Sequence, residues 1–412
     1  MRWILRLLAL TALAGVVAFG LVACGGGDDE GGAATTSPTE TTAPTGPSVT
    51  SPAADLRVTL DRLLGEHAML AVFAMQKGAS GDEDFEQIAA ALDENSVALG
   101  DAIGSVYGDE ARDGFLKLWR DHIGFFVEYT QAAAANDNAG KRAAIQKLDG
   151  YRQAFAEFMA GANPNLQAGA VADLLQQHVN QLTAALDTYQ TGNYKRAYGQ
   201  VRAAYEHMFG TGDALAGAIA TQFPDKFPAG DATTSAADLR VALDRLLGEH
   251  AMLAVFAMQK GAQGGKDFNA IAAALDENTV ALGDAIGSVY GDEARDGFLK
   301  LWRDHIGFFV EYTQAAAAGD QAGKDAAIQK LDGYRQAFAE FLAGANPNLE
   351  AGPVADLLQQ HVNQLTAALD TYLAGDFAEA YTQIRQAYEH MFGTGDALSG
   401  AIVAQFPDNF AD

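Results

Sequence analysis

The chain has 412 residues, of which 53 are acidic and 27 are lysine or arginine, so its formal net charge is −26 at pH 7. This acidity argues against nucleic acid as a partner, because binding to phosphates requires clustered basic side chains. It also argues against a protein that lies flat on anionic lipid. The single cysteine leaves no partner for a disulfide within the chain.

The first 23 residues predict a secretory signal peptide, because Arg2 and Arg6 precede a long apolar run. Residues 21–24, Leu-Val-Ala-Cys, resemble the lipobox of bacterial lipoproteins, and Cys24 is the only cysteine. That resemblance implies that Cys24 is acylated, for example with palmitate, and becomes the mature N-terminus. Because two or three acyl chains suffice for stable anchoring, we expect a lipid-anchored protein at the cell membrane that faces outside the cytoplasm.

The rest of the chain is largely a duplication. Residues 56–223 align without a gap with residues 239–406, and 25 of the 168 aligned positions differ. A segment rich in Gly, Thr, Ser and Pro precedes the first copy and is typical of a disordered tether. The predicted organisation is a signal peptide (1–23), a tether (24–53), a first helical module (54–223), a linker (224–238) and a second helical module (239–412).

Each module is predicted to be all-α, because apolar residues recur at spacings of three and four over stretches of roughly 20 to 28 residues. In the first module the predicted helices run from about Asp55 to Lys77, Asp84 to Tyr107, Asp109 to Ala135, Ala139 to Gly161, Gln167 to Thr191 and Tyr194 to Phe209, with a short further piece after Gly210-Thr211-Gly212. The first three histidines lie 55 and 56 residues apart. This spacing predicts two six-helix modules, each made of three αα-hairpins that form an antiparallel bundle.

All eight histidines fall into two sets of four, and each member of the first set precedes its counterpart by 183 residues. The pairs are His67 and His250, His122 and His305, His178 and His361, and His207 and His390. In the first predicted helix, leucines recur at helical spacing along one face except at one position, which His67 occupies. The His67 side chain is therefore predicted to face inward, like those leucines. His207 only borders the stripe of its helix. The residues predicted to form one inward polar layer are His67, Asn95, His122, Tyr151, His178 and His207, with His250, Asn278, His305, Tyr334, His361 and His390 in the second module.

Two interpretations of this layer stay open. In the first interpretation, the histidines bind a transition metal, and Asn95 and Tyr151 lie next to the ligands and support them. Imidazole ligands without thiolate suit copper, which we favour, or zinc or iron. The Glu-x-x-His motif of di-iron bundles and the Cys-x-x-Cys-His motif of attached haem are both missing. In the second, the polar groups bond to one another and fix helix register, in a non-catalytic envelope or surface protein that presents acidic helix faces. The acidic residues that precede three of the histidines, Glu66, Asp121 and Glu206, are predicted to be solvated or salt-bridged.

Motifs of common enzymes are absent from the sequence, which has no phosphate loop, nucleophile elbow or dinucleotide fingerprint. Three stretches carry a resemblance: residues 63–78, residues 119–124 and residues 207–213. They resemble helical, histidine-containing modules of uncharacterised secreted bacterial proteins, some of which are labelled copper amine oxidase. The resemblance implies an exported bundle. A quinone-forming oxidase is expected to need a large β-rich domain, so we assign no catalytic residue and favour a protein that is not an enzyme.

Overall fold

The computed structural model describes residues 46–227 and 232–411, and within these ranges it contains twelve α-helices, one short 3-10 helix and no strand. The helices are α1 (Pro52–Ser80), α2 (Phe85–Tyr107), α3 (Asp109–Ala134), α4 (Asn138–Ala162), α5 (Ala168–Gln190), α6 (Tyr194–Gln222), α7 (Ser235–Ala262), α8 (Phe268–Tyr290), α9 (Asp292–Ala318), α10 (Gln321–Ala345), α11 (Ala351–Leu373) and α12 (Phe377–Gln405), followed by the 3-10 helix Pro407–Asn409. The predicted all-α class, with two modules of six helices, is confirmed.

Local sequence signals explain where the helices begin and end. At the start of α1 the Ser51 side chain accepts a hydrogen bond from the backbone N–H of Ala54, and Pro52 occupies the first turn. Gly81 ends this helix with φ of 72°, and Gly108 separates α2 from α3 with φ of 89°. These positive φ values are favourable for glycine and costly for other residues, so the glycines stop the helices at these points.

Helix α1 lies at the centre of the first module. It contacts the helices α2, α3, α5 and α6 of its own module, and α7 and α12 of the second. As a result 22 of its 29 residues are buried, whereas a helix with a single apolar stripe would leave one face in water. The counterpart α7 occupies the same central place in the second module. The apolar stripe predicted for the first helix is therefore only part of its buried surface, because the helix is buried on nearly all sides.

The two modules pack against each other around these central helices. Helix α6 lies against α8, and α12 lies against α2. The Phe73 and Phe256 rings stack with centroids 3.4 Å apart, and the hydroxyl oxygens of Tyr205 and Tyr388 lie 3.2 Å apart. One apolar cluster contains buried residues of both modules. Each repeat thus completes its core with side chains from the other.

Helix α6 is longer than predicted. The prediction of a separate short helix after Gly210-Thr211-Gly212 was wrong. One uninterrupted helix runs through these glycines to Gln222. At Gly212 the backbone passes so close to α1 that an added β-carbon would collide with the Asp61 carboxylate. Glycine is used here for a close approach of two helices, and it does not break the helix.

The ends of the modules differ in part from the predicted boundaries. Helix α7 begins at Ser235, inside the segment predicted as linker, and Val49 of the predicted tether packs against Ala236 and Val403. The predicted signal peptide, Cys24 and the tether up to residue 45 lie outside the described residues, as do residues 228–231 of the linker.

Candidate metal centre

Three histidines of each module converge on one point in the core. His67 lies on α1, His122 on α3 and His178 on α5, which are the first helices of the three hairpins. One ring nitrogen from each lies within 4.8 Å of those of the other two. The corresponding residues of the second module, His250, His305 and His361, are arranged in the same way. We call these groups the first and second histidine triads.

The triads have dimensions close to those of a metal site. Imidazole nitrogens lie about 2.0–2.1 Å from a bound zinc ion, so three of them around one ion are roughly 3.3–3.6 Å apart. The centroid of the His67 ring lies 5.4 Å from that of His122 and 5.6 Å from that of His178. Small side-chain rotations would therefore bring the three nitrogens, already within 4.8 Å of one another, to bonding distance of a common ion.

Two histidines of each triad are buried without the hydrogen bonds that buried polar groups normally make. Among the described residues, neither ring nitrogen of His67 or of His178 has a hydrogen-bond partner, and the same holds for His250 and His361. Each unsatisfied buried group costs about 1–3 kcal/mol. A metal ion bound by one nitrogen of each ring would remove part of this cost.

Burial also keeps the triad histidines neutral. It lowers the pKa of His122 to about 3, with a further contribution from the nearby His178. Burial and a neighbouring histidine likewise lower the pKa values of His67 and His178 well below the ordinary 6.5. A neutral imidazole has a free lone pair, which is the form that binds metals.

Aromatic side chains enclose the first triad. The Trp119 ring lies 4.7 Å from His67 and 4.6 Å from His122, measured between centroids. Tyr151 stacks on His122 at 4.7 Å, and Phe126 lies edge-on to His122 and His178 at 6.0 Å. This shell excludes water and gives the site a low dielectric constant. The sequence carries a signal for Trp119, which precedes His122 by three positions and so shares its helix face, but the predicted layer did not include it.

The fourth histidine of each module is not part of the triad, although it lies close enough to His178 or His361 to help lower the pKa of that residue. His207 is half-buried on α6, and its Nε2 lies 2.9 Å from the carbonyl oxygen of Leu174. His390 makes the same contact with the carbonyl oxygen of Leu357. These two residues were predicted as ligands, and the structure brings together only the other six. The placement of His207 outside the triad agrees with its position at the border of the apolar stripe of its helix.

Asn95 and Asn278 are buried, and their amide nitrogens donate to groups on the central helix of their module. Asn95 donates hydrogen bonds to the carbonyl oxygen of Leu63 at 2.9 Å and to Oε2 of Glu66 at 2.7 Å. Asn278 makes the equivalent bonds in the second module. Tyr151 and Tyr334, by contrast, do lie beside the triads, stacked on His122 and His305.

Glu66 is salt-bridged, which is one of the two predicted alternatives, and it is also buried. It is 1% exposed, and Arg385 of the second module donates to its Oε1 at 3.0 Å. Its counterpart Glu249 pairs with Arg202 at 2.9 Å. Asp121 and Glu206 also follow the prediction: both are exposed and salt-bridged, to Lys117 and Arg245 respectively. Glu66 differs because its flank of α1 faces the other module.

No helix among the described residues is both long and apolar enough to cross a membrane. In comparisons with known proteins, no family model, no curated protein and no solved structure matches this chain.

Proposed function

We propose that each module binds one transition-metal ion through its histidine triad, so that the chain carries two ions. The observation that carries this proposal is the convergence of buried ring nitrogens that have no hydrogen-bond partner among the described residues. A structural layer would need hydrogen bonds between its members. His67 and His178 make none, so the metal interpretation accounts better for these side chains.

Copper in the +1 state suits the site best. The described ligand set of each triad consists of three neutral imidazoles without a carboxylate or thiolate. A divalent ion would therefore place two uncompensated charges in the core, and burial of charge is costly. Cu(I) brings one charge and readily accepts three ligands. Zinc and iron are the competing metals, since imidazole binds them as well.

Metal titration of a tag-free chain under anaerobic conditions tests the proposal. We expect two Cu(I) per chain, measured by competition with a chromophoric chelator. His122→Gln should lose one ion, and His122→Gln with His305→Gln should lose both, because each substitution removes one of three ligands. Far-ultraviolet circular dichroism would check that the variants stay folded.

The matched control is the pair of histidines outside the triads. His207→Gln with His390→Gln should keep both ions, because His207 already contacts the Leu174 carbonyl. Absence of stoichiometric binding by the wild-type chain would refute the proposal. Undiminished binding by the His122 and His305 double variant would refute the assigned ligands.

We also propose that the protein is a lipoprotein anchored through Cys24 and held outside the cytoplasm. The support is the lipobox-like sequence at residues 21–24 and the presence of a single cysteine. Cys24→Ser should abolish incorporation of labelled palmitate and release the protein from the membrane fraction of a bacterial host. Ser37→Ala, in the same predicted tether, is the control and should retain both. Retention of label and membrane association by the Cys24 variant would exclude this anchor.

A further inference from the structure

A small cavity lies next to each histidine triad. In the first module its volume is about 40 Å³, and in the second about 50 Å³. His122, His178 and Tyr151 line the first cavity, and His305, His361 and Tyr334 line the second. The cavity therefore reaches two of the three proposed ligands in each module. The same cavity occurs in both copies, as expected of two modules that differ at 25 of 168 aligned positions.

The wall of this cavity is mostly apolar. Among its residues are Leu99, Ile103, Phe115, Phe155, Leu175 and Met208. A buried water needs two to four polar partners, and this wall offers few. The space suits a small uncharged molecule, whereas a hydrated anion would lose its water without compensation.

Tyr151 supplies an unused hydroxyl donor beside the cavity and the triad, and the indole N–H of Trp119, which also lines the cavity, is a second unused donor. The Tyr151 side chain is 5% exposed, and its hydroxyl has no hydrogen-bond partner among the described residues. Its ring stacks on His122 at 4.7 Å with an interplanar angle of 18°. A tyrosine hydroxyl keeps its proton at neutral pH, so this hydroxyl can donate. Tyr334 repeats each of these features in the second module.

We propose that a metal held by the triad keeps one open coordination position facing this cavity, where a small uncharged diatomic molecule such as dioxygen binds and accepts a hydrogen bond from Tyr151. The inference rests on the proposed metal binding. It adds to it the class of ligand and the residue that positions that ligand. Three protein ligands with an open fourth position are the arrangement by which metal sites bind exogenous molecules.

Carbon monoxide bound to the Cu(I)-loaded full chain tests the inference, because its C–O stretching band reports on hydrogen bonds to the ligand. We expect two carbon monoxide molecules per chain. Tyr151→Phe with Tyr334→Phe should leave the copper content unchanged and raise the C–O stretching frequency, since a hydrogen bond to bound carbon monoxide weakens the C–O bond.

Two controls separate this effect from a general loss of structure. Tyr107→Phe with Tyr290→Phe removes two partly buried hydroxyls that already donate to Gln222 and Gln405, and it should leave the band in place. Leu99→Phe with Leu282→Phe fills the cavities and should abolish carbon monoxide binding while copper stays bound.

The outcomes distinguish the two proposals. If the chain binds no copper, both the proposed function and this inference fail. If copper binds but carbon monoxide does not, metal binding stands and the open position is refuted. If carbon monoxide binds and the band is unmoved in the Tyr151 and Tyr334 variant, the donor role of the tyrosine is refuted.

Discussion

The imidazoles of the triads make the metal-free protein sensitive to acid. His67, His122 and His178 have lowered pKa values in the folded chain because they are buried, and their counterparts behave alike. In the unfolded chain a histidine takes up a proton near pH 6.5. The unfolded state therefore binds more protons than the folded state below pH 6.5, and the free energy of unfolding falls as the pH is lowered.

We expect this loss of stability to begin below pH 6.5, with a slope of about 1.4 kcal/mol per pH unit for each buried neutral histidine. Urea unfolding of the metal-free chain at several pH values between 7.5 and 5.5 measures it. His122→Gln with His305→Gln should reduce the slope, because two titrating groups are removed. A free energy of unfolding that is constant over this range would contradict the prediction.

Two buried carboxyl groups act in the opposite direction. Burial and the nearby Asp213 raise the pKa of Asp61 well above 3.8, and burial and Asp396 do the same for Asp244. These groups are protonated more readily in the folded chain, so their contribution to stability is lost as the pH rises. The six triad histidines outnumber them, and the net slope below pH 6.5 is expected to keep the sign of the histidines.

At the scale of helices, the sequence predicted most of the architecture and much of the site. Apolar spacing gave the six helices of each module, and the gaps in the apolar stripes pointed to His67, His122 and His178, which the structure brings together. Such predictions succeed because an inward-facing polar residue in an amphipathic helix is visible from spacing alone. The separate placement of His207 follows from its weaker position at the border of a stripe.

The features that the sequence did not predict depend on contacts between helices, which local sequence patterns do not encode. Glu66 was predicted to be solvated or salt-bridged, and only the packing of α12 near α1 shows that it is buried and that its partner is Arg385 of the other module. Gly212 looked like a helix break, and only the crossing with α1 shows why a glycine is needed there. In both cases the deciding neighbour is distant in sequence.

At the scale of the whole molecule, the two repeats form a pair with approximate twofold equivalence of contacts. Arg385 binds Glu66 and Glu94 of the first module, and Arg202 binds Glu249 and Glu277 of the second. Tyr381 donates to Asp84 at 2.7 Å, and Tyr198 donates to Asp267 at 2.6 Å. Each contact occurs twice with the modules exchanged. The interface therefore consists of matched polar pairs around a shared apolar cluster.

This interface should hold the modules together without a covalent connection. A protease site inserted between Phe227 and Ala232 provides a place to cut the chain between the modules. We expect the cut halves to elute together in gel filtration at physiological salt, because the apolar contacts across the interface are buried and salt does not screen them.

Arg202→Glu with Arg385→Glu should make the cut halves separate, because each new carboxylate would face two glutamates. The control is Arg120→Glu with Arg303→Glu. These exposed arginines each form a salt bridge within their own module, so their charge reversal should leave the complex intact. Separation of the cut wild-type halves would show instead that the linker keeps the modules in contact.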